Sequence, residues 1–287
     1  ARAGNQPRAR QLLARALRHA RRDAATLYSA GLLHSSAGRW ERAIAAFRRA
    51  LRSAPDPQYA DAYGQALLAA GRPDDACAVL SRALQSTPED ARLLLRYSQG
   101  LQARGELEAA YRAARQAAQM ADTDPAALLH AGQLALQLGR WNEAQALLDH
   151  AATLAPQLGA AHLGRAQALL MLGQPETALT AARAAAEHAP ESAEAALMVG
   201  LALERLGRDA EARPALERAV ALQETQAPAL TALRDICART GDLEAAIRYA
   251  RRVVDLPAAS AEDLLRLGEL LAATGALDEA QELFERA

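Results

Sequence analysis

A glycine recurs along the whole 287-residue chain at an almost constant spacing. Seven of the eight intervals between successive recurrent glycines are 34 residues long, and one is 33. An alanine follows each of these glycines five residues later. A period near 34 predicts a linear array of stacked helical or strand units rather than a globular domain. The recurrent glycines are Gly4, Gly38, Gly71, Gly105, Gly139, Gly173, Gly207, Gly241 and Gly275.

Each period contains two helical patterns when the recurrent glycine is numbered as position 15. Positions 4, 7, 8 and 11 are apolar or small and share one face of a first helix, and positions 20, 24 and 27 do so in a second. Glycine ends the first helix because it accepts the left-handed backbone of a helix cap. The chain is 51% hydrophobic and only 3% aromatic, which favours helix throughout. Prolines at position 32 stop the second helix in four units: Pro55, Pro88, Pro156 and Pro190.

We therefore predict an all-α chain of helical hairpins. One hairpin cannot bury its own apolar face, so neighbouring hairpins are expected to stack into one continuous solenoid. The predicted divisions are 1–23 for the second helix of a preceding repeat, 24–56, 57–90, 91–124, 125–158, 159–192, 193–226 and 227–260 for seven full repeats, and 261–287 for a partial eighth.

The repeat resembles the tetratricopeptide repeat family. The family pattern is met in the first unit by Leu27, Gly31, Gly38, Ala43, Phe47, Ala50 and Pro55. The resemblance implies a right-handed superhelical solenoid of antiparallel helix pairs whose first helices line a concave groove. Ser98 and Arg234 replace the small residue of position 8, and His162 and Arg165 stand at normally apolar positions. We expect these places to be loosely packed or functionally marked.

Composition excludes several kinds of partner. The formal net charge is −1, so no overall field attracts nucleic acid. No apolar run approaches the roughly 18 residues that insertion into a membrane needs.

Cys77 and Cys237 lie more than four repeats apart, too far for a disulfide. All 33 basic residues are arginine, which suggests a GC-rich, bacterial source; both cytoplasm and periplasm stay open.

We find no candidate constellation for catalysis. No two of the six histidines have the i, i+4 spacing of a helical metal site, and every recurrent glycine is explained by a helix end rather than by a phosphate-binding loop. The sequence therefore predicts no enzymatic activity, no metal and no cofactor.

Two rows of side chains mark a candidate binding surface on the first helices. Positions 5 and 9 lie opposite the packed face. A glutamine amide both donates and accepts hydrogen bonds, so a row of them can bind the backbone of an extended peptide, and leucines beside it can hold its apolar side chains. Solvated glutamines beside half-buried leucines are the alternative. The glutamine row is Gln65, Gln99, Gln133 and Gln167, and the leucine row is Leu95, Leu129, Leu163 and Leu197.

Cationic side chains adjoin these rows in the third and fourth repeats. Arg92 and Arg96 occupy positions 2 and 6 of repeat 3, and His130 occupies position 6 of repeat 4. The resemblance implies a similarity to the carboxylate-clamp members of the family, which place cations at the same two positions of their third repeat. The other clamp positions hold Tyr28, Leu32 and Ala62, so the clamp is incomplete. A weaker contact with an anion or acidic peptide is expected, and solvated arginines are the alternative.

The sequence favours a non-catalytic protein-interaction scaffold that docks a peptide or partner domain in the groove. It leaves two other roles open: the substrate-recognition arm of a larger enzyme, such as a glycosyltransferase bearing these repeats, and a periplasmic spacer in exopolysaccharide export or a self-assembling coat. Residues 1–52 hold twelve arginines against two acidic residues, and residues 257–287 hold seven acidic residues against two arginines. This asymmetry predicts weak head-to-tail self-association, and ordinary solvated charged faces are the alternative.

Overall fold

The structure, a computed structural model, describes residues 23–287, so the predicted helix of a preceding repeat lies outside the described residues. Residues 23–287 form sixteen α-helices and no strand, which confirms the all-α repeat array. The helices are α1 (Ala24–Ser35), α2 (Trp40–Ser53), α3 (Pro57–Ala69), α4 (Pro73–Ser86), α5 (Ala91–Ala103), α6 (Leu107–Met120), α7 (Pro125–Gln137), α8 (Trp141–Leu154), α9 (Gly159–Met171), α10 (Pro175–His188), α11 (Ala193–Arg205), α12 (Asp209–Leu222), α13 (Ala227–Arg239), α14 (Leu243–Val254), α15 (Ala261–Ala273) and α16 (Leu277–Arg286).

The recurrent glycine ends the first helix of every described repeat. Each odd-numbered helix begins at the first residue of a predicted repeat and stops two or three residues before its glycine. Within residues 23–287 all eight recurrent glycines have a positive φ, from 67° at Gly38 to 86° at Gly275. A residue with a Cβ is strained in this left-handed region, which explains why glycine recurs there.

Aspartates cap the odd-numbered helices of the first four repeats, a pattern that the sequence analysis did not identify. The residue before each helix is Asp23, Asp56, Asp90 or Asp124. Each carboxylate accepts a hydrogen bond from a backbone N–H in the first turn, at 2.7 Å from Thr26 for Asp23 and 2.9 Å from Ala126 for Asp124. Such a cap stabilises a helix by about 1 kcal/mol.

The described chain divides into two compact units. The amino-terminal unit lies within Ala1–Gly139, and the carboxy-terminal unit is Arg140–Ala287, so the division falls inside predicted repeat 4. In the amino-terminal unit α3 contacts both α1 and α5, and in the carboxy-terminal unit α11 contacts both α9 and α13. Odd-numbered helices therefore form one layer within each unit. A single solenoid through Gly139 stays a prediction.

A small residue at position 8 allows the two helices of a hairpin to approach closely. A Cβ added to Gly64 of α3 would lie 2.8 Å from each methyl carbon of Leu80 on α4, closer than packed carbon atoms come. Leu80 is fully buried in the core of the amino-terminal unit. The approach of α3 to α4 thus depends on the missing side chain of Gly64.

Arg234 stands at position 8 in repeat 7, and it is closely packed rather than loose. Its guanidinium group is buried and lies 2.7 Å from a carboxylate oxygen of Asp235 and 3.3 Å from one of Asp263. The Asp263 carboxylate also accepts a hydrogen bond from the backbone N–H of Ser260 at the start of α15. The buried charge is therefore paired and links α13 to α15.

The two cysteines, Cys77 and Cys237, are buried free thiols. Across residues 23–287, the structure contains no helix with the length and apolar character needed to span a bilayer.

We predict that Gly64→Val destabilises the amino-terminal unit. The added Cβ collides with Leu80, and overpacking of this kind costs about 1–3 kcal/mol of unfolding free energy. Urea unfolding followed by circular dichroism measures the change. Gln65→Val is the matched control, because it adds a β-branched residue at the next, exposed position of the same helix. Equal losses in the two variants would assign the effect to helix propensity rather than packing.

Candidate functional site

The candidate site is the odd-helix face, defined here by positions 5 and 9 of the odd-numbered helices. On one helix these positions are four residues apart and so lie one turn apart on the same side. In the amino-terminal unit, α5 presents Leu95 and Gln99, and α7 presents Leu129 and Gln133. On α3 the corresponding pair is Asp61 and Gln65. Leu95 and Leu129 are partly exposed, so apolar surface accompanies the amides in this unit.

The glutamines of this unit keep unused hydrogen-bonding groups. Gln65 and Gln133 are exposed, and their amides make no hydrogen bond with another described residue. Gln99 is partly exposed, and its Oε1 accepts a hydrogen bond from Nη1 of Arg96 at 3.0 Å. The amide nitrogen of Gln99 therefore stays available as a donor.

Arg96 joins two neighbouring repeats. Its Nε donates a hydrogen bond to Oδ1 of Asp61 at 2.9 Å, so one guanidinium group ties α5 to α3 while it orients Gln99. The sequence analysis missed this tie, although a spacing of 35 residues between an acidic and a basic residue was a usable signal. Arg92 is exposed and has no ion pair with a described residue. The predicted anion contact now depends on Arg92, because Asp61 neutralises Arg96.

His130 turns towards the packed interior of the amino-terminal unit, so the expectation that it adds a cation to the odd-helix face is not met. Its Nε2 lies 3.0 Å from Oγ of Ser98, and that fully buried hydroxyl donates to the carbonyl of Ala110 at 2.7 Å. The hydroxyl has one proton, so Nε2 must be the donor to Ser98. Burial lowers the pKa of His130 and favours the neutral ring. Ser98 is thus hydrogen-bonded rather than loosely packed.

The carboxy-terminal unit offers less of the predicted surface. On α9, Leu163 is partly exposed, and Gln167 is exposed without a hydrogen bond to a described residue. Leu197 on α11 is only 6% exposed and belongs to the core cluster that contains Leu203 and Leu230. Its predicted contact with a partner is therefore corrected to a role in the core.

No group of three or more His, Cys, Asp or Glu side chains in the described part of the chain is arranged to hold a metal ion. His162 and His188 stack with ring centroids 5.8 Å apart, and one ring nitrogen of His162 contacts the carbonyl of Pro156 at 2.8 Å. Arg165 pairs with Asp149. The polar residues at the apolar positions of repeat 5 thus have local partners.

Comparison with known families identifies the repeat. One tetratricopeptide repeat (TPR) model matches residues 1–60, 129–186 and 163–228, and a second matches residues 57–100. The chain belongs to the tetratricopeptide repeat family. A search of curated proteins finds no match.

Solved structures with the same architecture include the following three proteins. MamA 41-end from Desulfovibrio magneticus RS-1 is 26% identical with a TM-score of 0.53, over 58% of this chain and 94% of that one. Pseudomonas aeruginosa PilF is 19% identical with a TM-score of 0.63, over 76% and 97%. YrrB, described as a TPR protein with an unusual peptide-binding site, is 20% identical with a TM-score of 0.53, over 69% and 98%. PilF and YrrB share the fold alone.

Membership of the TPR family supports a protein–protein interaction scaffold as the broad role of this chain. TPR arrays are typically non-catalytic. Within that broad role, the odd-helix face is the candidate docking surface for a partner.

We predict that His130 makes the amino-terminal unit less stable in acid. Its pKa in the folded chain is below the ordinary value of 6.5 because the ring is buried, so the unfolded chain takes up the proton first. The free energy of unfolding therefore falls as the pH drops below 6.5. His130→Gln keeps a donor for Ser98 but does not titrate, so it should lose less stability between about pH 7.5 and pH 5.5.

Urea unfolding at a series of pH values measures this difference. His150→Gln is the control, since it removes an exposed histidine and should retain the acid-induced loss. The same pH profile for His130→Gln and the parent chain would contradict the role assigned to His130.

Proposed function

We propose that the odd-helix face of the amino-terminal unit docks an extended peptide segment of a partner protein. Gln65, Gln99 and Gln133 hydrogen-bond the peptide backbone, and Leu95 and Leu129 contact its apolar side chains. The observation that carries this proposal is the set of exposed or partly exposed amides with unused donors and acceptors on three successive odd-numbered helices.

The spacing of the glutamines suits an extended chain. In this unit α3 contacts α1 and α5, and Nε2 of His130 on α7 lies 3.0 Å from Oγ of Ser98 on α5. Helices that pack against each other lie about 8–10 Å apart. An extended peptide advances about 3.3 Å per residue, so successive glutamines meet about every third residue of the ligand. The intervening side chains point to alternate sides, where the leucines can receive them.

The tie between Asp61 and Arg96 supports binding by orienting one amide in advance. Oε1 of Gln99 is held by Arg96, so its nitrogen faces a ligand without the loss of side-chain freedom that a mobile amide incurs on binding. The similar protein YrrB has a peptide-binding site of its own. At 20% identity that likeness concerns the fold, and the proposal here is drawn from this chain's own side chains.

We predict that Gln99→Ala combined with Gln133→Ala weakens the binding of a selected peptide about tenfold, because each net hydrogen bond contributes about 0.5–1.5 kcal/mol. A peptide-display selection against the parent chain supplies the ligand, and fluorescence anisotropy measures its Kd. N-methylation of the peptide backbone opposite either glutamine should cause a similar loss, and changes of the peptide side chain there should not.

Gln85→Ala combined with Gln119→Ala is the matched control, since it removes two exposed amides from the even-numbered helices α4 and α6. The proposal is wrong if the two double variants bind the selected peptide equally well. Circular dichroism checks that all variants keep their helical content.

A further inference from the structure

A cleft of about 510 Å³ opens between α2 and α4 of the amino-terminal unit, above the start of α3. Ala60 and Tyr63 of α3 line it. On a helix these two residues lie opposite Asp61 and Gln65, which belong to the odd-helix face. The cleft is thus on the other side of the helix layer from the proposed peptide surface.

The cleft coincides with the one short interval in the repeat. The loop between α2 and α3 has three residues, whereas the loops that follow α4, α6, α8, α10 and α12 have four and the loop that follows α14 has six. This loop contains the single shortening that makes one glycine interval 33 residues instead of 34. Pro55, Asp56 and the first residue of α3, Pro57, line the cleft at this point.

A hydrogen bond that links the repeats at three other junctions is missing here. The side chain at position 26 donates a hydrogen bond to the carbonyl at position 32 of the preceding repeat, with distances of 3.5, 2.8 and 3.2 Å. The three bonds run from Gln116 to Pro88, from Arg218 to Pro190 and from Arg252 to Glu224. Arg82 occupies position 26 of repeat 2, but it makes no such bond and lines the cleft together with Pro55.

Three arginines surround this opening. Arg48 and Arg52 stand one turn apart on α2, and Arg82 faces them from α4. All three are exposed, and none forms an ion pair with another described residue. None of the predicted repeats 2–7 carries basic residues at the positions of both Arg48 and Arg52. The carboxylate of Asp56 also lines the cleft, but it is occupied in capping α3 through the N–H of Gln58 at 2.7 Å.

The floor between these charges is apolar. Leu51, Val79 and Ala83 are partly buried and line the cleft beside the ring of Tyr63. A ligand that fits must therefore carry anionic groups around an apolar centre. Guanidinium groups bind carboxylates in pairs of parallel hydrogen bonds, which favours carboxylate over a single point charge.

We propose that this cleft binds an acidic peptide segment of a partner protein, with two or three carboxylates on Arg48, Arg52 and Arg82 and an apolar side chain on the floor. The arginines stand on both walls of a recess, an arrangement that a peptide with carboxylates on either side can meet and a flat membrane surface cannot. Residues 1–22 carry seven arginines and no acidic residue, so like charge excludes them as the occupant.

The test is an array of eight-residue peptides in which every position is Glu, Gln, Leu or Ser. We expect the bound peptides to contain both Glu and Leu. For the tightest of them, anisotropy should show binding about tenfold weaker or more when Arg48, Arg52 and Arg82 are all replaced by Gln, because hydrogen bonds between charged groups are the strongest of their kind. Val79→Thr should reduce the preference for Leu over Ser while the preference for Glu remains.

Two control variants locate the effect. Replacement of Arg42, Arg112 and Arg183 by Gln removes the same charge from exposed positions outside the cleft and should leave the affinity unchanged. Gln99→Ala with Gln133→Ala should also leave it unchanged, so failure of the cleft and failure of the odd-helix face are distinguishable.

Three results would overturn the proposal. The first is a peptide array in which binding does not depend on Glu, or a selected peptide that binds the cleft variant, with Arg48, Arg52 and Arg82 replaced, as well as it binds the control variant, with Arg42, Arg112 and Arg183 replaced. The second is sedimentation with vesicles of phosphatidylcholine and phosphatidylglycerol that is lost in the cleft variant, which assigns the cleft to a membrane surface. The third is self-association in sedimentation velocity that the cleft variant abolishes, which assigns it to a second copy of the chain.

Discussion

The close approach of two helices within a hairpin, such as α3 and α4, is the contact on which the rest of this structure depends. A residue without a side chain, such as Gly64 or Gly200, lies directly under a leucine of the next helix, Leu80 or Leu216. The hairpin becomes thin enough for its remaining apolar surface to be covered by the neighbouring hairpins. Alanine therefore fills much of the core, and few large side chains are needed to bury it.

The two sides of an odd-numbered helix carry different kinds of surface. On α3, Asp61 and Gln65 face one side, while Ala60 and Tyr63 face the other beneath the arginine cleft. Ala60 and Tyr63 belong to the core, whereas the exposed amides and arginines on the two sides do not, so these polar side chains can differ from repeat to repeat without loss of the core. The two surfaces differ in chemistry, since neutral amides with leucines suit a peptide backbone, whereas unpaired arginines suit carboxylates.

The repeat period predicted the paired helices and the glycine at the end of every described first helix, because both depend on backbone conformation and local apolar spacing. It did not predict which way long side chains turn. Arg96 and His130 both occupy position 6 of their repeats. Arg96 nevertheless hydrogen-bonds Asp61 and His130 hydrogen-bonds Ser98, because the available partner depends on the neighbouring repeat. Leu197 is buried for the same reason. The residues around it belong to other helices, and the spacing of residues within α11 does not predict where those helices lie. The single 33-residue interval was a visible signal at the cleft, but its effect on the junction depends on the three-dimensional packing of α2 and α4.

Near-identical hairpins raise the problem of order, because any hairpin could in principle stack on the wrong neighbour. Arg234 favours the correct neighbour for the seventh repeat. Its buried guanidinium group pairs with Asp235 beside it and with Asp263 of the following repeat, so a mistaken neighbour without an acid at that place would remove one of the two partners of a buried charge. Ser98 and His130 mark another junction in the same way with uncharged groups. The few polar residues that interrupt the apolar pattern thus favour one order of the repeats, because each needs a matching partner on the correct neighbouring repeat.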